Sequence, residues 1–537
     1  MKTWEVLSEK GVDVIDSLLK NRGLKTKKEQ EEFFNPTNPN DLTLKELEIS
    51  EVEMKKAIKR LKLAKKTREK VIVYGDYDAD GVTATAIVWE ALHKFGLDVL
   101  PYIPDRFKEG YGINAKSVEK IKEKSPSLKL IVTVDNGIVA SSEISKINKM
   151  GIDVIVSDHH APDKNKPKVS AIIHTSKIAG SAVAWILARE TGSKTGLELA
   201  AIGTIADQMP LTHANRSFAK YGLVELRNTK RAGLIELMRQ AAVKIPEVGT
   251  YEVNYIIAPR INSMGRLAHA IDSLRLLCVK DGTRARELAQ LVTKTNLERQ
   301  KVVDEVVISV REKARKLPDG IIFLSDESYH EGVIGLAAGR LVEEFWRPAI
   351  VISVGAEFSK GSARSISGFN IVEAIREHAD LLVAHGGHTM AAGFTIETAK
   401  LTEFEKRIRE AAKKTLTAEV LNRKLKIDSE LDFKLIDWEL AEKLKEFEPS
   451  GLGNPTPIFA SLKVEVSDVR LLGTEKKHLK LKLKKDGKLI DAIGFGMGES
   501  FKDLKKEDKV DVAYSVDENV WNGVKSLQLK IKDLRVA

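Results

Sequence analysis

VIVYGDYDADG, residues 71–81, is the stretch of this 537-residue chain that says most about its architecture. It opens with a short β-branched and aromatic run and ends in three aspartates spaced two apart: Asp76, Asp78 and Asp80. A short apolar run bounded by turn signals predicts a buried strand, and a helix is expected from Val82 to Phe95. In such a strand–turn–helix unit the carboxylates lie at the carboxyl end of the strand, where α/β proteins bind their ligands.

Other apolar runs in the first half of the chain end in polar clusters of the same kind. Short Val/Ile runs that alternate with helical stretches are typical of buried parallel strands. The alternation here, from Val71 to about Thr204, predicts an open α/β sheet. The polar residues that follow these later runs are Asp135, Asp158, His159, His160 and Asp207.

Because the carboxyl ends of parallel strands meet at one edge, these scattered side chains are expected to gather in space, with Asp207 at a strand end like the others. So many carboxylates in one place are costly unless cations neutralise them. The pattern therefore predicts a pair of divalent metal ions and metal-assisted phosphoester chemistry. The carboxylate beside two imidazoles in Asp158-His159-His160 suits Mn²⁺, Zn²⁺ or Fe²⁺.

Two other classes of site fit these motifs poorly. EF-hand loops also read D-x-D-x-D-G, but they require a glutamate at loop position twelve, which is Ile87 here. The chain also lacks the GxxxxGK[ST] phosphate loop, which argues against a nucleotide-driven motor.

Composition bounds the class of protein. The net charge of +10 and the pI of about 9.1 favour polyanionic partners without specifying one. Cys278 is the only cysteine, which excludes a disulfide framework and a Cys-based zinc site. No apolar run approaches the roughly 20 residues that span a bilayer, and the start MKTWEVLSEKGVD lacks the layout of a secretory signal. We expect a reducing, cytoplasmic location.

The length and the changes of texture predict several domains. The pattern from Thr283, a possible cap, to Lys316 is helical. If continuous, this helix spans roughly 50 Å and separates two domains, although two shorter helices in one bundle stay an alternative. Beyond a second α/β region, HLKLKLK (478–484) alternates apolar and basic residues as in a small antiparallel barrel. The expected segments are an N-terminal segment (1–50), a catalytic domain (51–282), a connecting helix (283–317), a substrate-binding domain (318–430) and the barrel domain (431–537).

In this order, GDYDADG, VDNGI, SDHH and GTIADQMPL resemble the four motifs of the DHH phosphoesterase superfamily. RINSMGR, GVIGLAAGR, GSARSISGF and GGHTMAAGF then resemble the remaining motifs of the bacterial RecJ single-stranded-DNA-specific exonucleases, from about residue 50 onward. The resemblance implies a DHH domain with a mostly parallel sheet, a long connecting helix, a second α/β DHH-associated domain and an OB-like β-barrel. Two positions depart from the family pattern, Ser263 and His174, and neither is expected to touch a presumed metal ligand.

The resemblance also implies roles for the clustered residues. Asp135 is similar to a carboxylate that bridges two metal ions. Asp80, His159 and Asp207 resemble the ligands of one ion. Family members favour Mn²⁺ or Mg²⁺, and the histidines favour Mn²⁺.

The other ion is expected nearest Asp76 and Asp78, with the directly bound one of the two left open. His160 is expected to contact the scissile phosphate, and Asp158 to orient the histidines. Two ions about 4 Å apart would lower the pKa of a bound water, which then attacks phosphorus in line.

Further residues resemble family positions that grip the nucleic acid. Arg106, Ser362 and Arg364 match positions that pocket a terminal 5′-phosphate, for which the fork of an arginine is suited. His388 resembles a substrate-contacting residue of the DHH-associated domain.

The entrance to the cleft and the barrel supply the remaining candidates. Arg266 and Gln300 resemble residues that line a narrow entrance, which would admit one strand and exclude a duplex. Lys480, Lys482 and Lys484 are expected to face outward from the barrel and to track the phosphate backbone, although lysines on a strand also protect sheet edges.

The resemblance therefore implies a metal-dependent 5′→3′ exonuclease, specific for single-stranded DNA, that releases 5′-mononucleotides in DNA recombination and repair. The resemblance further implies a monomer that works with a single-stranded-DNA-binding protein and a DNA helicase, and no membrane partner. Two alternatives stay open. A DHH-type phosphodiesterase of oligoribonucleotides or cyclic dinucleotides is usually shorter and lacks the barrel. A non-catalytic single-stranded-DNA-binding replication scaffold would have lost the ligands that this chain keeps.

Overall fold

The computed structural model describes residues 2–8, 13–317 and 320–537, with the backbone alone at Trp521. Pro318, expected to follow the long helix, and the side chain of Trp521, expected either to stack on nucleic acid or to pack in the core, lie outside the described residues. The chain forms two compact units. One comprises Lys2–Ala258, Leu277–Lys280 and Lys424–Ala537, and the other comprises Pro259–Leu276 and Asp281–Arg423.

The strands fall into three sheets. In chain order they are β1 (Thr3–Ser8), β2 (Lys70–Tyr74), β3 (Asp98–Tyr102), β4 (Leu128–Val134), β5 (Asp153–Asp158), β6 (Ala171–His174), β7 (Ile322–Asp326), β8 (Ala349–Ser353), β9 (Phe358–Arg364), β10 (Leu382–His388), β11 (Ala391–Glu397), β12 (Lys424–Glu430), β13 (Phe459–Leu472), β14 (His478–Lys485), β15 (Lys488–Gly494), β16 (Lys509–Trp521) and β17 (Val524–Val536).

The helices flank or connect these strands, and a π-helical turn, Val253–Ile257, follows α11. In chain order they are α1 (Val14–Asn21), α2 (Lys27–Phe34), α3 (Glu51–Thr67), α4 (Ala79–Phe95), α5 (Ala115–Lys124), α6 (Ser141–Lys149), α7 (Gly180–Glu190), α8 (Leu197–Ala206), α9 (His213–Arg227), α10 (Ala232–Gln240), α11 (Thr250–Glu252), α12 (Ala258–Leu267), α13 (Ile271–Cys278), α14 (Gly282–Ala314), α15 (Ile334–Phe345), α16 (Ile371–Arg376), α17 (Leu401–Thr415), α18 (Ala418–Leu421) and α19 (Trp438–Lys445).

The first α/β region contains the open parallel sheet that the sequence predicts. Its strands lie in the order β3-β2-β4-β5-β6, and every neighbouring pair is parallel. The central strands are buried because helices cover both faces, which explains their continuous Val/Ile runs. The turn after β2, the turn after β4 and the end of β5 therefore open at one edge, and they carry Asp76, Asp135 and Asp158.

Asp207 was expected at a strand end, and this prediction is wrong. Asp207 is the C-cap of α8, whose sequence LELAAIGTIA is buried on almost every side. A short apolar run without a clear period fits either a buried strand or a buried helix, and the alanines and leucines here favour helix.

The second unit contains a five-stranded sheet in the order β10-β11-β9-β8-β7. Strands β7 and β8 are parallel, and the other neighbours are antiparallel. The 33-residue helix α14 is continuous, about 50 Å long, so the alternative of two shorter helices is wrong. Its N-cap is Asp281, whose side chain accepts a hydrogen bond from the backbone N–H of Arg284, and not Thr283.

The C-terminal strands form a closed five-stranded barrel in the order β13-β14-β15-β17-β16, with β13 also paired to β16. The barrel confirms the predicted OB-like fold. Leu479, Leu481 and Leu483 of β14 are fully buried inside it, as their alternation with lysine predicts.

The N-terminal segment packs with this barrel. Strand β1 pairs in parallel with β12, which pairs in turn with β13. Leu18, Leu19 and Phe33 share one hydrophobic core with barrel residues such as Phe459. Arg216 of α9 is buried and donates hydrogen bonds to the carbonyls of residues 33 and 446–449, so backbone carbonyls solvate its charge and join these segments.

The described part of the chain contains no helix with the length and apolar character needed to cross a membrane.

Candidate active site

Asp76, Asp78 and Asp80 converge because the turn after β2 leads directly into α4. Asp78 is the N-cap of α4, and its Oδ1 accepts a hydrogen bond from the Gly81 N–H at 3.0 Å. Asp80 lies in the first helical turn, where the helix dipole favours negative charge. A Cβ on Gly81 would lie 2.5 Å from the Cβ of Asp76, so this tight turn requires glycine.

Asp135 follows β4 in a backbone conformation that few residues adopt. Its φ is 60°, in the left-handed region, and its N–H donates to the Ser157 carbonyl at 2.9 Å. Such strain concentrates at functional sites. The side chain of Asp135 is buried. A Cβ on Gly180, the first residue of α7, would lie only 2.3 Å from Asp135 Oδ1, so the carboxylate fits here because residue 180 has no side chain.

The Asp158-His159-His160 turn is organised by the carboxylate of Asp158. Asp158 Oδ1 accepts hydrogen bonds from the backbone N–H groups of His159 and His160 and from His160 Nδ1, the last at 2.8 Å. Asp158 Oδ2 accepts a further hydrogen bond from the Ile138 N–H at 2.9 Å. Asp158 therefore holds the turn and fixes the orientation of the His160 ring.

The ligand atoms of these residues form three overlapping groups, each with its members within 4.8 Å of one another: Asp76, Asp78 and Asp135; Asp135, His159 and His160; and Asp80, His159 and Asp207.

The imidazole of His159 lies among three carboxylates. Its Nε2 is 3.2 Å from Asp135 Oδ1, 3.7 Å from Asp207 Oδ2 and 3.9 Å from Asp80 Oδ2. The structure thus brings together all eight residues that the sequence nominated for this centre. Asp135 and His159 each belong to two of the groups, so these two residues link the three groups into one cluster.

The carboxylates repel one another at close range. Burial, and then the neighbouring carboxylates, raise the pKa values of Asp76, Asp78 and Asp135 above their ordinary values. The same two causes raise the pKa of Asp207 to about 8. This excess of negative charge is the condition that bound cations would relieve.

The two histidines differ in charge. Burial lowers the pKa of His159 despite the nearby Asp80, so its ring is neutral and can act as a metal ligand. Burial also acts against the charged form of His160, but its hydrogen bond to Asp158 and the surrounding carboxylates outweigh that effect and raise its pKa to about 9. The same pair lowers the pKa of Asp158, because its hydrogen bonds outweigh its burial.

The donor set fits divalent cations. Asp76 Oδ1 and Asp135 Oδ1 are buried, and neither has a hydrogen-bond partner among the described residues, so both keep a lone pair for a metal. Carboxylate oxygens with a neutral imidazole suit Mn²⁺, and the oxygens alone suit Mg²⁺.

Several residues that sequence reasoning missed support this centre. The backbone N–H groups of Gly180 and Ser181 donate to Asp80 at 2.8 and 3.0 Å, so the start of α7 positions that carboxylate. The hydroxyl of Tyr111 lies 3.3 Å from His160 Nε2 and 3.4 Å from the Asp135 carbonyl. An aromatic residue inside the glycine-rich segment 110–112 was the available signal.

His174 was not expected to touch a presumed metal ligand, and the contact that it makes here is to another residue of the site, His160. The Nε2 of His174 donates a hydrogen bond of 2.7 Å to the carbonyl of His160. The contact arises because β6 pairs with β5 in a register that sets His174 opposite Asp158. Ser263, the other departure from the family pattern, donates its hydroxyl to the Arg260 carbonyl at 2.6 Å within its own helix, α12.

Arg106 lies beside the centre. Its guanidinium carbon is 5.0 Å from the centroid of the Tyr77 ring, and its charge acts on Asp76. An arginine at this place can meet a phosphate that approaches the carboxylate cluster.

In the second unit, Ser362 and Arg364 lie on β9 next to the N-terminus of α15. A Cβ on Gly335 would lie 2.8 Å from Ser362 Oγ and 3.1 Å from Arg364 Nη2, so the first turn of α15 faces both side chains. The N-cap residue of α15, Val333, supplies no side-chain hydrogen bond to that turn. A helix N-terminus with an arginine and a serine is suited to a phosphate group.

The remaining candidates of the second unit lie on the same sheet and on neighbouring helices. His388 ends β10 opposite Ala391, which pairs with Arg364, so His388 and Arg364 lie in one row across three strands. Gln300 is exposed on α14. Arg266, at the end of α12, donates to the Gly332 carbonyl at 3.1 Å.

Lys480, Lys482 and Lys484 form the lysine row of β14. Lys482 and Lys484 are exposed, as the sequence predicts. Lys480 is partly buried, and its Nζ lies 3.7 Å from Asp491 Oδ2 on the neighbouring strand. The charges of Lys482 and Lys484 are therefore more accessible to a ligand than the charge of Lys480.

Comparison with known families accounts for most of the chain. The DHH family N-terminal domain matches residues 70–206, the DHHA1 domain matches residues 318–414 and the RecJ OB domain matches residues 427–533.

Individual proteins match over nearly the whole chain. The single-stranded-DNA-specific exonuclease RecJ of Bacillus subtilis is 38% identical over 90% of this chain, which spans 63% of the length of that relative. RecJ of Haemophilus influenzae is 31% identical, with 96% of this chain and 95% of the relative covered. A crystal structure of RecJ in complex with Mn²⁺ from Thermus thermophilus matches with a TM-score of 0.84 and 30% identity, and covers 100% of this chain and 80% of that one.

Proposed function

This chain belongs to the RecJ family of single-stranded-DNA-specific exonucleases, and on that basis we propose that it degrades single-stranded DNA from the 5′ end and releases 5′-mononucleotides. The observation that carries the proposal is the set of three overlapping ligand groups, linked through Asp135 and His159, each with an atom set compact enough for one divalent ion. Without a metal, Asp76 Oδ1 and Asp135 Oδ1 would stay buried with no hydrogen-bond partner among the described residues.

The residues present would hold two Mn²⁺ or Mg²⁺ ions. Asp80, His159 and Asp207 would bind one, Asp76 and Asp78 would lie nearest the other, and Asp135 would be shared. When bound, such a pair of cations activates water and offsets the charge that develops on the phosphoryl oxygens.

The side chains around the cations have their own tasks. Neutral His159 offers a lone pair, whereas His160, held in its charged form by Asp158, offers an N–H to a phosphate oxygen. Asp158 is thereby a positioning residue. His174 also restrains the Asp158-His159-His160 turn, through its hydrogen bond to the His160 carbonyl.

The 5′→3′ polarity is proposed to come from recognition of a terminal phosphate. Arg106, Ser362 and Arg364 are the residues proposed to bind it, supported by the first turn of α15 beside two of them. His388, Arg266 and Gln300 are proposed to guide the strand.

The wider assignments are also proposals. The lysine row would retain the DNA backbone electrostatically. The chain would act as a cytoplasmic monomer in recombination and repair, with a DNA helicase and a single-stranded-DNA-binding protein as partners. The DHH catalytic region is proposed at 51–282, the connecting helix at 283–317, the substrate-binding domain at 318–430 and the barrel domain at 431–537.

Asp135→Asn tests the proposal, because asparagine tolerates the left-handed backbone and keeps the volume of the side chain. With Mn²⁺ and a long 5′-phosphorylated single strand, the unsubstituted chain should release mononucleotides. Asp135→Asn should lose cleavage but keep DNA binding, whereas Asp163→Asn on an exposed loop should keep both. Equal digestion of blunt duplex, release from the 3′ end, or activity confined to dinucleotides would each contradict the proposal.

Arg364→Lys tests the origin of the polarity. The unsubstituted chain should prefer a 5′-phosphorylated strand over a 5′-hydroxyl strand, and the variant should lose most of that preference, because a lysine cannot bind a phosphate bidentately. An unchanged ratio of kcat/KM for the two strands would remove Arg364 from the phosphate pocket.

A further inference from the structure

Tyr251 and Tyr255 form an exposed aromatic pair on the catalytic region. Their side chains are 63% and 69% exposed, and Tyr255 is the most exposed large apolar or aromatic side chain of the described residues. The two ring centroids are 5.0 Å apart, with 38° between the ring planes. The rings thus support each other instead of packing into the core.

The local backbone is also unusual. Tyr251 lies in α11, and Tyr255 lies in the π-helical turn Val253–Ile257 that follows. π-Helical turns are rare and occur frequently at functional sites. Here Val253 and Ile257 point into the core while the two tyrosines point to solvent.

The pair is connected to the metal-binding cluster. Asn254 lies between the tyrosines in sequence, and its Oδ1 accepts a hydrogen bond of 2.7 Å from Gln208 Nε2. Gln208 directly follows Asp207 and has a φ of 58°, in the left-handed region. One hydrogen bond and the backbone on either side of it therefore connect the tyrosine pair to Asp207.

The geometry of the pair limits what it can bind. Centroids 5.0 Å apart leave no space for a third ring between them, so a ligand must cover the outer face of one ring. An unpaired nucleobase is flat and apolar on both faces, and stacking on an exposed aromatic side chain is a recurrent means of holding single strands without reading sequence. A base inside a duplex is already stacked on both faces and gains nothing from such a platform.

We propose that Tyr251 and Tyr255 form a stacking platform for one unpaired base of the strand, a short distance from the scissile phosphate. The inference rests on the proposed function for the identity of the strand. The platform deepens that function because it gives the catalytic region its own means of selecting unpaired bases. It is separate from the lysine row, which acts on phosphates.

Binding of single strands that carry one 2-aminopurine tests the platform, in full-length chain with the Asp135→Asn change and Mn²⁺. Moving the fluorescent base along the strand should reveal one position, near the cleaved end, where stacking quenches its emission. Tyr255→Ala should restore that emission and weaken binding roughly tenfold. Tyr255→Phe should keep both properties, because the phenyl ring keeps the π face, and Tyr255→Leu should lose them despite its apolar bulk.

An abasic residue at the quenched position supplies the decisive comparison. If the platform stacks that base, Tyr255→Ala and the abasic change should each weaken binding, but together no more than either alone. Additive losses, or equal affinity for all variants, overturn the proposal. Val224→Ala, another exposed apolar position of the same region, should change nothing.

Failure of this inference can be distinguished from failure of the proposed function. The binding measurements report on the platform whether or not the unsubstituted chain cleaves DNA. Absence of Mn²⁺-dependent cleavage contradicts the proposed function. Normal cleavage without a quenched position contradicts the platform alone. If Tyr255→Ala lowers the Tm, the loss of binding could come from unfolding. Tyr251→Leu and Tyr255→Leu then provide the same test, because leucine keeps the apolar bulk without the aromatic ring.

Discussion

Replacing Gly180 by alanine should damage the metal centre without unfolding the chain. The new Cβ would lie 2.3 Å from Asp135 Oδ1, whereas ordinary contact begins at 3.4 Å, so the carboxylate must move by about 1 Å. Neither side can yield easily. Asp135 is held at a φ of 60°, and the Gly180 N–H donates to Asp80 Oδ2 at 2.8 Å, so a shift of α7 displaces a second carboxylate.

The magnitude follows from how narrowly a metal site tolerates displacement. Ligand distances vary by only about 0.2 Å between good sites, and a 1 Å misplacement costs on the order of a hundredfold in rate, or about 2.7 kcal/mol of barrier. Stability should change less. Overpacking costs about 1–3 kcal/mol, while Gly→Ala within a helix returns up to about 1 kcal/mol. We therefore expect a Tm within several degrees of the original, a hundredfold lower kcat/KM and a weaker response to Mn²⁺.

Gly282→Ala is the matched control. Gly282 is also the first residue of a helix, α14, and a Cβ there meets nothing within 4 Å. Steady-state cleavage across an Mn²⁺ titration compares the three proteins. If Gly180→Ala kept the original kcat/KM and the same Mn²⁺ dependence, Asp135 would not be the shared ligand that its position indicates.

Three further predictions concern charge and support. Because the pKa of Asp207 is raised to about 8 in the folded, metal-free chain, this group takes up a proton on folding, and its contribution to stability is lost as pH rises from about 4 to 8. The Tm in EDTA should fall between about pH 6 and pH 8 while the Mn²⁺-induced rise in Tm grows, and the opposite trend would contradict this assignment. His174→Ala should lower stability by about 1 kcal/mol and reduce kcat more than it changes KM. His174→Gln, whose amide nitrogen reaches about as far as Nε2 and can still donate to the His160 carbonyl, should retain more of both, and equal effects would argue against the hydrogen bond as the cause. Glutamine at all three positions of the lysine row should flatten the plot of log affinity against log salt by up to about 2 units for long single strands, and an unchanged slope would remove the row from DNA binding.

Local pattern was sufficient for much of this fold. The Val/Ile runs before Asp76, Asp135 and Asp158 predicted buried parallel strands, and parallel strands bring their carboxyl ends together whatever the distance in sequence. Alternation in β14 and the long periodic stretch of α14 predicted elements that the structure contains. These features depend on residues a few positions apart, so they can be recognised in the sequence alone.

The features that were missed depend on contacts between distant segments. Nothing near Gly180 in sequence indicates that it abuts Asp135, and nothing near Gly335 indicates its contact with Ser362 and Arg364. Asp207 was placed on a strand because a short buried run of small residues carries no period that distinguishes helix from strand. The role of His174 follows from strand register, which the alternation of one strand alone does not set.

The pairing of β1 with β12 has a consequence for biosynthesis. Thr3 lies opposite Lys424, so β1 leaves the ribosome long before its neighbour β12 has been translated. During that interval the apolar side chains of α1 and α2 have no barrel to cover them, which makes nascent chains vulnerable to aggregation. Efficient production of this protein should therefore depend on chaperones that shield its amino-terminal segment, more than on the early folding of the catalytic sheet.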